Sequence, residues 1–449
     1  MISSALRNIL ENKLGINISS VLLPNDNIDM QRWAVVACDQ YTSEPEYWND
    51  IDKFVQDKPS TLRMIFPEAF LDTEDENEKS LRISKINETM ESYIKNGVFK
   101  ELKDSVILVE RTFRNGHTLH GIVFSVDLEK YDYSKGSQSL IRATEGTIIE
   151  RLPPRIRIRE RAPLELPHIM LLIDDKEKSV IEPLVQKSSQ LQPAYSFELM
   201  KDSGSIKGWV VDQETDIENM ANALLKLADA DAFKERYNIN DQLGVLLFAV
   251  GDGNHSLATA KACWENLKKT LPAHELINHP ARYALVEVVN LHDSGLVFEP
   301  IHRVVFNIDA ESLINAYLSY YKEKGCNAYA VFGNERPASD GHVIKFVTSD
   351  KTGYLVVECP VYNLDVGTLQ NFLDYYLKSN KNASIDYVHG DDVTERLGKQ
   401  PGNIGFFLSP MDKNELFRTV ILEGALPRKT FSMGEASEKR FYLEARRIR

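Results

Sequence analysis

An almost unbroken apolar stretch covers residues 243–250, Leu-Gly-Val-Leu-Leu-Phe-Ala-Val. That is the pattern of a strand buried on both faces. It stops at Gly251-Asp252-Gly253-Asn254-His255. Beyond Ser256, the apolar residues Leu257, Ala260, Trp264, Leu267 and Leu271 recur every three or four positions. The spacing predicts a helix, with Lys268 and Lys269 in its last turn and Pro272 closing it. Further strands are expected at 32–38, 106–111, 119–126, 166–173, 284–290, from 299 onward, and at 343–347, 354–359 and 404–408. Arg114-Asn115-Gly116 joins the second and third of these as a hairpin. Helical periodicity runs over 80–96, ended by Gly97, and over 212–230, 313–322 and 366–377. Ser43-Glu44-Pro45-Glu46 reads as a capping-box helix start. Residues 72–78 are acidic, a solvated loop or a helix start, and Asp241 precedes the apolar run. The chain is therefore of mixed α and β class, α/β in its central part. Polar residues around Gly136 set a soft boundary, which divides the chain into 1–138, 139–309 and 310–449.

A buried strand that feeds a glycine loop and then a helix aims backbone N–H groups and a partial positive charge at one point, as a phosphate or carboxylate site does. The loop is neither a Walker-type phosphate loop nor a dinucleotide fingerprint, because Ser256 stands where the third glycine of the latter belongs. A plain turn, with Asp252 and Asn254 as helix caps, explains the pattern as well. Asp252 and His255 beside the glycines favour function. Asp39 and Tyr41 are expected at the end of a strand just before a helix, a usual place for site residues or else a simple connection. In the stretch 141–161, Arg155, Arg157 and Arg159 alternate with Ile156 and Ile158. On an extended chain the guanidiniums share one face, as forks suited to phosphate. Their anionic partner is a ligand, the chain's own carboxylates or a second subunit. His302 and Arg303 either reach an anion or form a surface pair. His117 and His120 fall on opposite faces of a strand and are not read as metal ligands.

Composition narrows the classes. With 449 residues, 43% hydrophobic and 27% charged, the chain is an ordinary globular protein of two or three domains. Its net charge of −13 argues against broad nucleic-acid binding. The apolar runs are too short for a bilayer, and the first twenty residues carry Arg7, Glu11 and Lys13, unlike a signal peptide. Cys38, Cys263, Cys326 and Cys359 are isolated, so neither a disulfide framework nor a zinc cage is expected, and the cytoplasm is the default.

Taken in order, several segments resemble the domain-of-unknown-function family ten-fifteen. They are Asp39-Gln40-Tyr41, Arg142-x-x-Glu145-x-Thr147, Asp174-Asp175, the loop 251–255, Pro300-Ile301-His302-Arg303 and Leu426-Pro427-Arg428-Lys429. The resemblance implies a ParB/sulfiredoxin-like core with additional N- and C-terminal α/β regions, related to free serine kinases. Thr144-Glu145 falls where those kinases carry His-Glu, which makes Glu145 the implied base. Ser256 replaces the arginine that follows the motif histidine, and Asn254 stands where reduction of the sulfiredoxin type needs a cysteine.

The implied chemistry is phosphoryl transfer between ATP or ADP, with Mg²⁺, and a small hydroxy amino acid, serine first. Glu145 would take the hydroxyl proton, His255 would donate to phosphate, and Asp252 would help hold Mg²⁺. Gly251, Gly253, Asn254, Ser256, Arg142, Arg151, Arg155 and Arg157 are the candidate phosphate contacts. Asp39, Tyr41, His302, Arg303 and Lys429 are the candidate substrate contacts. Phosphoserine hydrolysis uses the same parts, and a non-catalytic nucleotide-gated scaffold is the competing class. A third reading takes the Arg-rich segment as a homo-oligomer interface instead.

Overall fold

The computed structural model describes residues 2–71, 73–239 and 242–449. Asp72 and Asp241 lie outside the described residues. The chain forms two units, one of residues 1–297 and 434–449 and the other of residues 298–433.

The first unit is built on a ten-stranded mixed sheet. Its strands in chain order are β1 Ile16–Asn17, β2 Val106–Thr112, β3 Thr118–Asp127, β4 Tyr131–Asp132, β5 Ile141–Ala143, β6 Met170–Ile173, β7 Gln192–Glu198, β8 Ser205–Val211, β9 Phe248–Asp252 and β10 Tyr283–Asn290. Across the sheet the order is β7-β8-β2-β3-β10-β6-β9-β5-β4, with β1 paired to β3. β9 runs parallel to β5 and antiparallel to β6. Both faces are covered. Val106 and Leu108 enter one apolar cluster while Ile107 and Val109 enter another, as alternation along a strand requires. The expected boundary near residue 138 falls inside this sheet. The polar stretch there is a surface turn between the paired strands β4 and β5, not a linker.

Most expected elements form, including the hairpin β2–β3 and the helices α1 Pro45–Val55, α2 Glu76–Lys95, α4 Glu214–Leu227 and α5 Asn254–Lys268. Two do not. Residues 32–38 make a single bridge, Val36 to Phe441, after a short helix Met30–Trp33 that Asp29 caps. The Arg-rich segment is the helix α3 Leu152–Arg159, not an extended strand. Pro153 and Pro154 sit in its first turn, where their missing N–H groups cost nothing and their fixed φ suits a helix.

The second unit holds a six-stranded antiparallel sheet backed by the helices α6 Ala310–Glu323 and α7 Asp365–Ser379. Tyr317 and Tyr321 are core residues there, packed with Leu369, Phe372 and Phe406. The unit is closed where Phe298–Pro300 pairs with Phe431–Met433. The expected boundary at 309/310 thus falls inside it. Among the described residues, no helix is long and apolar enough to cross a membrane.

Candidate active site

The parallel pairing of β5 and β9 sets their C-terminal ends side by side, with Ala143 opposite Val250. The chain leaving β5 is then clamped to the loop that leaves β9. Thr144 Oγ1 donates to the Val250 carbonyl at 2.6 Å, and the Thr144 N–H donates to Asn254 Oδ1 at 3.2 Å. Glu145 follows directly and is partly exposed. Three residues on, the Ile148 N–H donates to His255 Nε2 at 3.4 Å. Glu145 and the loop therefore share one rim. In this arrangement His255 Nε2 accepts rather than donates, and Asn254 clamps the segment after β5 to the turn after β9.

Gly251 is the extra residue of a bulge between β9 and β6, which breaks the ladder just ahead of the loop. Gly253 caps α5 with φ 78°, and a Cβ there would lie 3.0 Å from the Ile169 Cα. Asp252 Oδ1 accepts from the Gly253 N–H at 2.9 Å, and its Oδ2 lies 3.2 Å from Lys439 Nζ. Among the described residues no group of three or more His, Cys, Asp or Glu is placed to hold a metal ion. A single carboxylate already paired with a lysine does not fit the expected Mg²⁺ role, and no step is derived through the ion.

Ser256 faces away from the loop's rim. Its hydroxyl lies 2.6 Å from His168 Nε2, whose Nδ1 lies 2.8 Å from the Tyr442 hydroxyl. Asp39 joins this cluster, with Oδ2 4.0 Å from His168 Nε2. Burial works to raise the Asp39 carboxyl, but His168, Gln40 and Lys439 outweigh it and hold it below the ordinary carboxylate range. Burial, with Asp39 and Glu68 beside it, pushes the Cys38 thiol up, so it stays protonated. Beneath the cluster is a cavity of about 140 Å³ lined by Ser256, His168, Tyr442 and mostly apolar side chains.

The arginines are gathered but already paired. Arg155 binds Glu68 at 2.5 Å, Arg157 binds Glu76 at 2.5 Å, and both line a hollow of about 750 Å³ together with the exposed Arg151. Arg159 pairs with Glu165 at 2.5 Å. Of the three partners weighed from sequence, the chain's own carboxylates take these guanidiniums. Arg142 is a structural residue: it is buried, and it donates to the carbonyls of Ser139 at 2.8 Å and Gly244 at 2.5 Å. Burial lowers its pKa to about 10.

Tyr41 has φ 51° and stacks on Tyr47 with ring centroids 3.7 Å apart. His302, Arg303 and Lys429 belong to the second unit. There the buried Arg303 donates to the carbonyls of Arg428 at 3.0 Å and Lys429 at 2.9 Å, while His302 Nδ1 accepts from the Leu408 N–H at 3.1 Å. Both hold that unit together.

A family model described as "Protein of unknown function (DUF1015)" matches residues 22–376. The chain belongs to this family. No curated protein matches it by sequence. Among solved structures, free serine kinase in complex with AMP is similar at 10% identity and a TM-score of 0.38, covering 73% of this chain and 92% of that one. A mutant of that kinase in complex with ADP gives 9% identity and 0.39 over the same shares. A conserved hypothetical protein from Pyrococcus furiosus gives 11% and 0.34, covering 72% and 90%.

Three residues of this DUF1015 site escape sequence reasoning. His168 is hidden by the apolar run 166–173 that announces β6. Lys439 and Tyr442 come from the last sixteen residues, far from the loop in sequence, and carry no local motif.

Proposed function

We propose that the chain transfers a phosphoryl group between a nucleotide and a small hydroxyl-bearing molecule, serine being the first acceptor to test. One observation carries this reading: the β5–β9 pairing and the Thr144–Asn254 clamp bring Glu145 to the rim of the glycine loop. A hydroxyl is a weak nucleophile at neutral pH, and a carboxylate within reach must take its proton as the new bond forms. Glu145 has that role. Negative charge on the transferred group is met by the first-turn N–H groups of α5 and by the Lys439 ammonium beside Asp252. The Arg-rich helix is not needed as the source of positive charge.

The test is phosphorus NMR of the purified chain with ATP, Mg²⁺ and serine. Phosphoserine and ADP should appear together. Glu145→Gln should slow their formation on the order of 100-fold or more while leaving nucleotide affinity unchanged. Lys439→Met should weaken nucleotide binding itself. Nucleotide binding without turnover in the parent protein would point to a scaffold, and phosphate release from phosphoserine without nucleotide to a hydrolase. A chain that binds no nucleotide ends the reading.

A further inference from the structure

Ser256 is the third residue of the fifteen-residue helix α5, and its hydroxyl is directed at His168 rather than at the loop. The separation of 2.6 Å is that of a hydrogen bond, in which the hydroxyl donates when Nε2 is the unprotonated nitrogen. For the serine to lose its proton, Nε2 must hold the free lone pair and Nδ1 the hydrogen. A group able to hold this tautomer is at hand: Nδ1 lies 2.8 Å from the Tyr442 hydroxyl, whose oxygen accepts the Cys38 N–H at 3.2 Å and can accept from an Nδ1 hydrogen as well. Tyr442 is buried and meets the imidazole edge-on, with ring centroids 5.4 Å apart. The Asp39 carboxylate, 4.0 Å from Nε2, lies where it would stabilise an imidazolium. Nucleophile, base and orienting partner are thus held in sequence, the arrangement that activates a serine hydroxyl.

A second observation says what the nucleophile would meet. The 140 Å³ cavity is lined by Ser256 and His168 together with Met64, Ile86, Met90 and Leu285, its charged lining being the paired Arg155–Glu68 and Arg159–Glu165. Protein cores pack to the density of organic crystals, and volume left unfilled costs stability. A cavity of roughly 150 Å³ with apolar walls takes a benzene-sized group. That is the bulk of a short or branched acyl chain, and too little for a fatty-acyl tail.

We propose that Ser256 and His168 form a nucleophile–base pair that hydrolyses esters of short apolar carboxylic acids, the acyl chain lying in the adjoining cavity. This activity needs no nucleotide and does not depend on the phosphotransfer reading. In the first step the Ser256 Oγ–carbonyl bond forms as the hydroxyl proton passes to His168 Nε2. The bond to the leaving alcohol then breaks, and that oxygen takes the proton from His168. Water, losing a proton to the same nitrogen, then bonds to the acyl carbon; the Oγ–carbonyl bond breaks, Ser256 Oγ takes that proton back from His168, and the acid leaves. Tyr442 is a positioning residue, since it acts only through His168.

The test is hydrolysis of p-nitrophenyl acetate, butyrate and palmitate by the full chain, together with labelling by a fluorophosphonate that modifies activated serines. Saturable cleavage of butyrate, little of palmitate, and a label that peptide mass spectrometry places on Ser256 are expected. Ser256→Ala and His168→Gln should each lower kcat on the order of 100-fold or more. Tyr442→Phe should lower kcat while leaving KM near the parent value, a split that general loosening of the fold would not give. Labelling needs no variant, so an unfolded mutant does not blur the result. No cleavage and no label in the parent chain would overturn the proposal. So would cleavage that survives Ser256→Ala.

Discussion

At Gly253 the backbone passes through φ 78° with its α-carbon pressed toward that of Ile169. A methyl group there would meet backbone rather than a side chain that can swing aside, and the left-handed conformation penalises it again. Gly253→Ala is therefore expected to lower stability by about 1–3 kcal/mol, read as an earlier urea midpoint at unchanged slope. The same scale shows why the loop's residues divide their labour. Asn254 is committed to Thr144, and Asp252 to Lys439 and its own following N–H. Glu145, partly exposed, follows Thr144 directly on the loop's rim. Local pattern located the strand-to-helix turn, although Asp252 ends β9 and His255 already belongs to the first turn of α5. It could not say which of them bond inward, because those partners come from residues 144 and 439.

Between elements, pairing decides both shape and titration. His120 on β3 has Nδ1 3.2 Å from Asp293 Oδ2 and Nε2 3.5 Å from Glu110 Oε2 on β2. Burial opposes its charge, but the two carboxylates outweigh it and lift its pKa above the ordinary histidine value. The charged form is then favoured more in the folded chain than in the unfolded one. Its stabilisation is fully present below the ordinary value of about 6.5 and is lost as pH rises through the higher folded value. Urea unfolding of the parent should show this fall just above the ordinary histidine range. In His120→Asn the step should be missing. The Arg-rich helix α3 is the opposite lesson about elements. Alternating Arg and Ile suits a strand face, yet two prolines at its start and carboxylates on neighbouring elements make a helix the better-satisfied structure.

For the first unit as a whole, the last sixteen residues are an organising strand of contacts. They bring Lys439 and Tyr442 to the site and drive charge into the core. Arg440 pairs with Glu287 and, at 2.6 Å, with Glu444, while Arg111 lies 3.3 Å from Glu287. Burial would raise the Glu287 carboxyl, but Arg111 and Arg440 hold it below its ordinary range. Removing one member strands the others without water, so Arg440→Met should cost about 3–5 kcal/mol in urea unfolding. Replacing Arg440, Glu287, Glu444 and Arg111 together by apolar residues of similar volume should cost less, since no member of the network is left as an uncompensated buried charge.

What the sequence determined by itself is what depends on near neighbours. Apolar periodicity placed β9 and α5, Arg114-Asn115-Gly116 placed the hairpin, and Gly97 ended α2, because strand alternation, helix pitch and turn chemistry are set within a few residues. Family membership was likewise legible, being a matter of segments in order. What only the tertiary structure decided is which charges meet. The polar stretch near 138 looked like a boundary until β4 and β5 paired around it, and Arg142 looked like a phosphate ligand until backbone carbonyls enclosed it. His168, Ser256 and Tyr442 stand 88 and 274 residues apart along the two bonds that join them. Electrostatics and hydrogen bonding act through space, so no window of sequence contains such a cluster until the chain has folded.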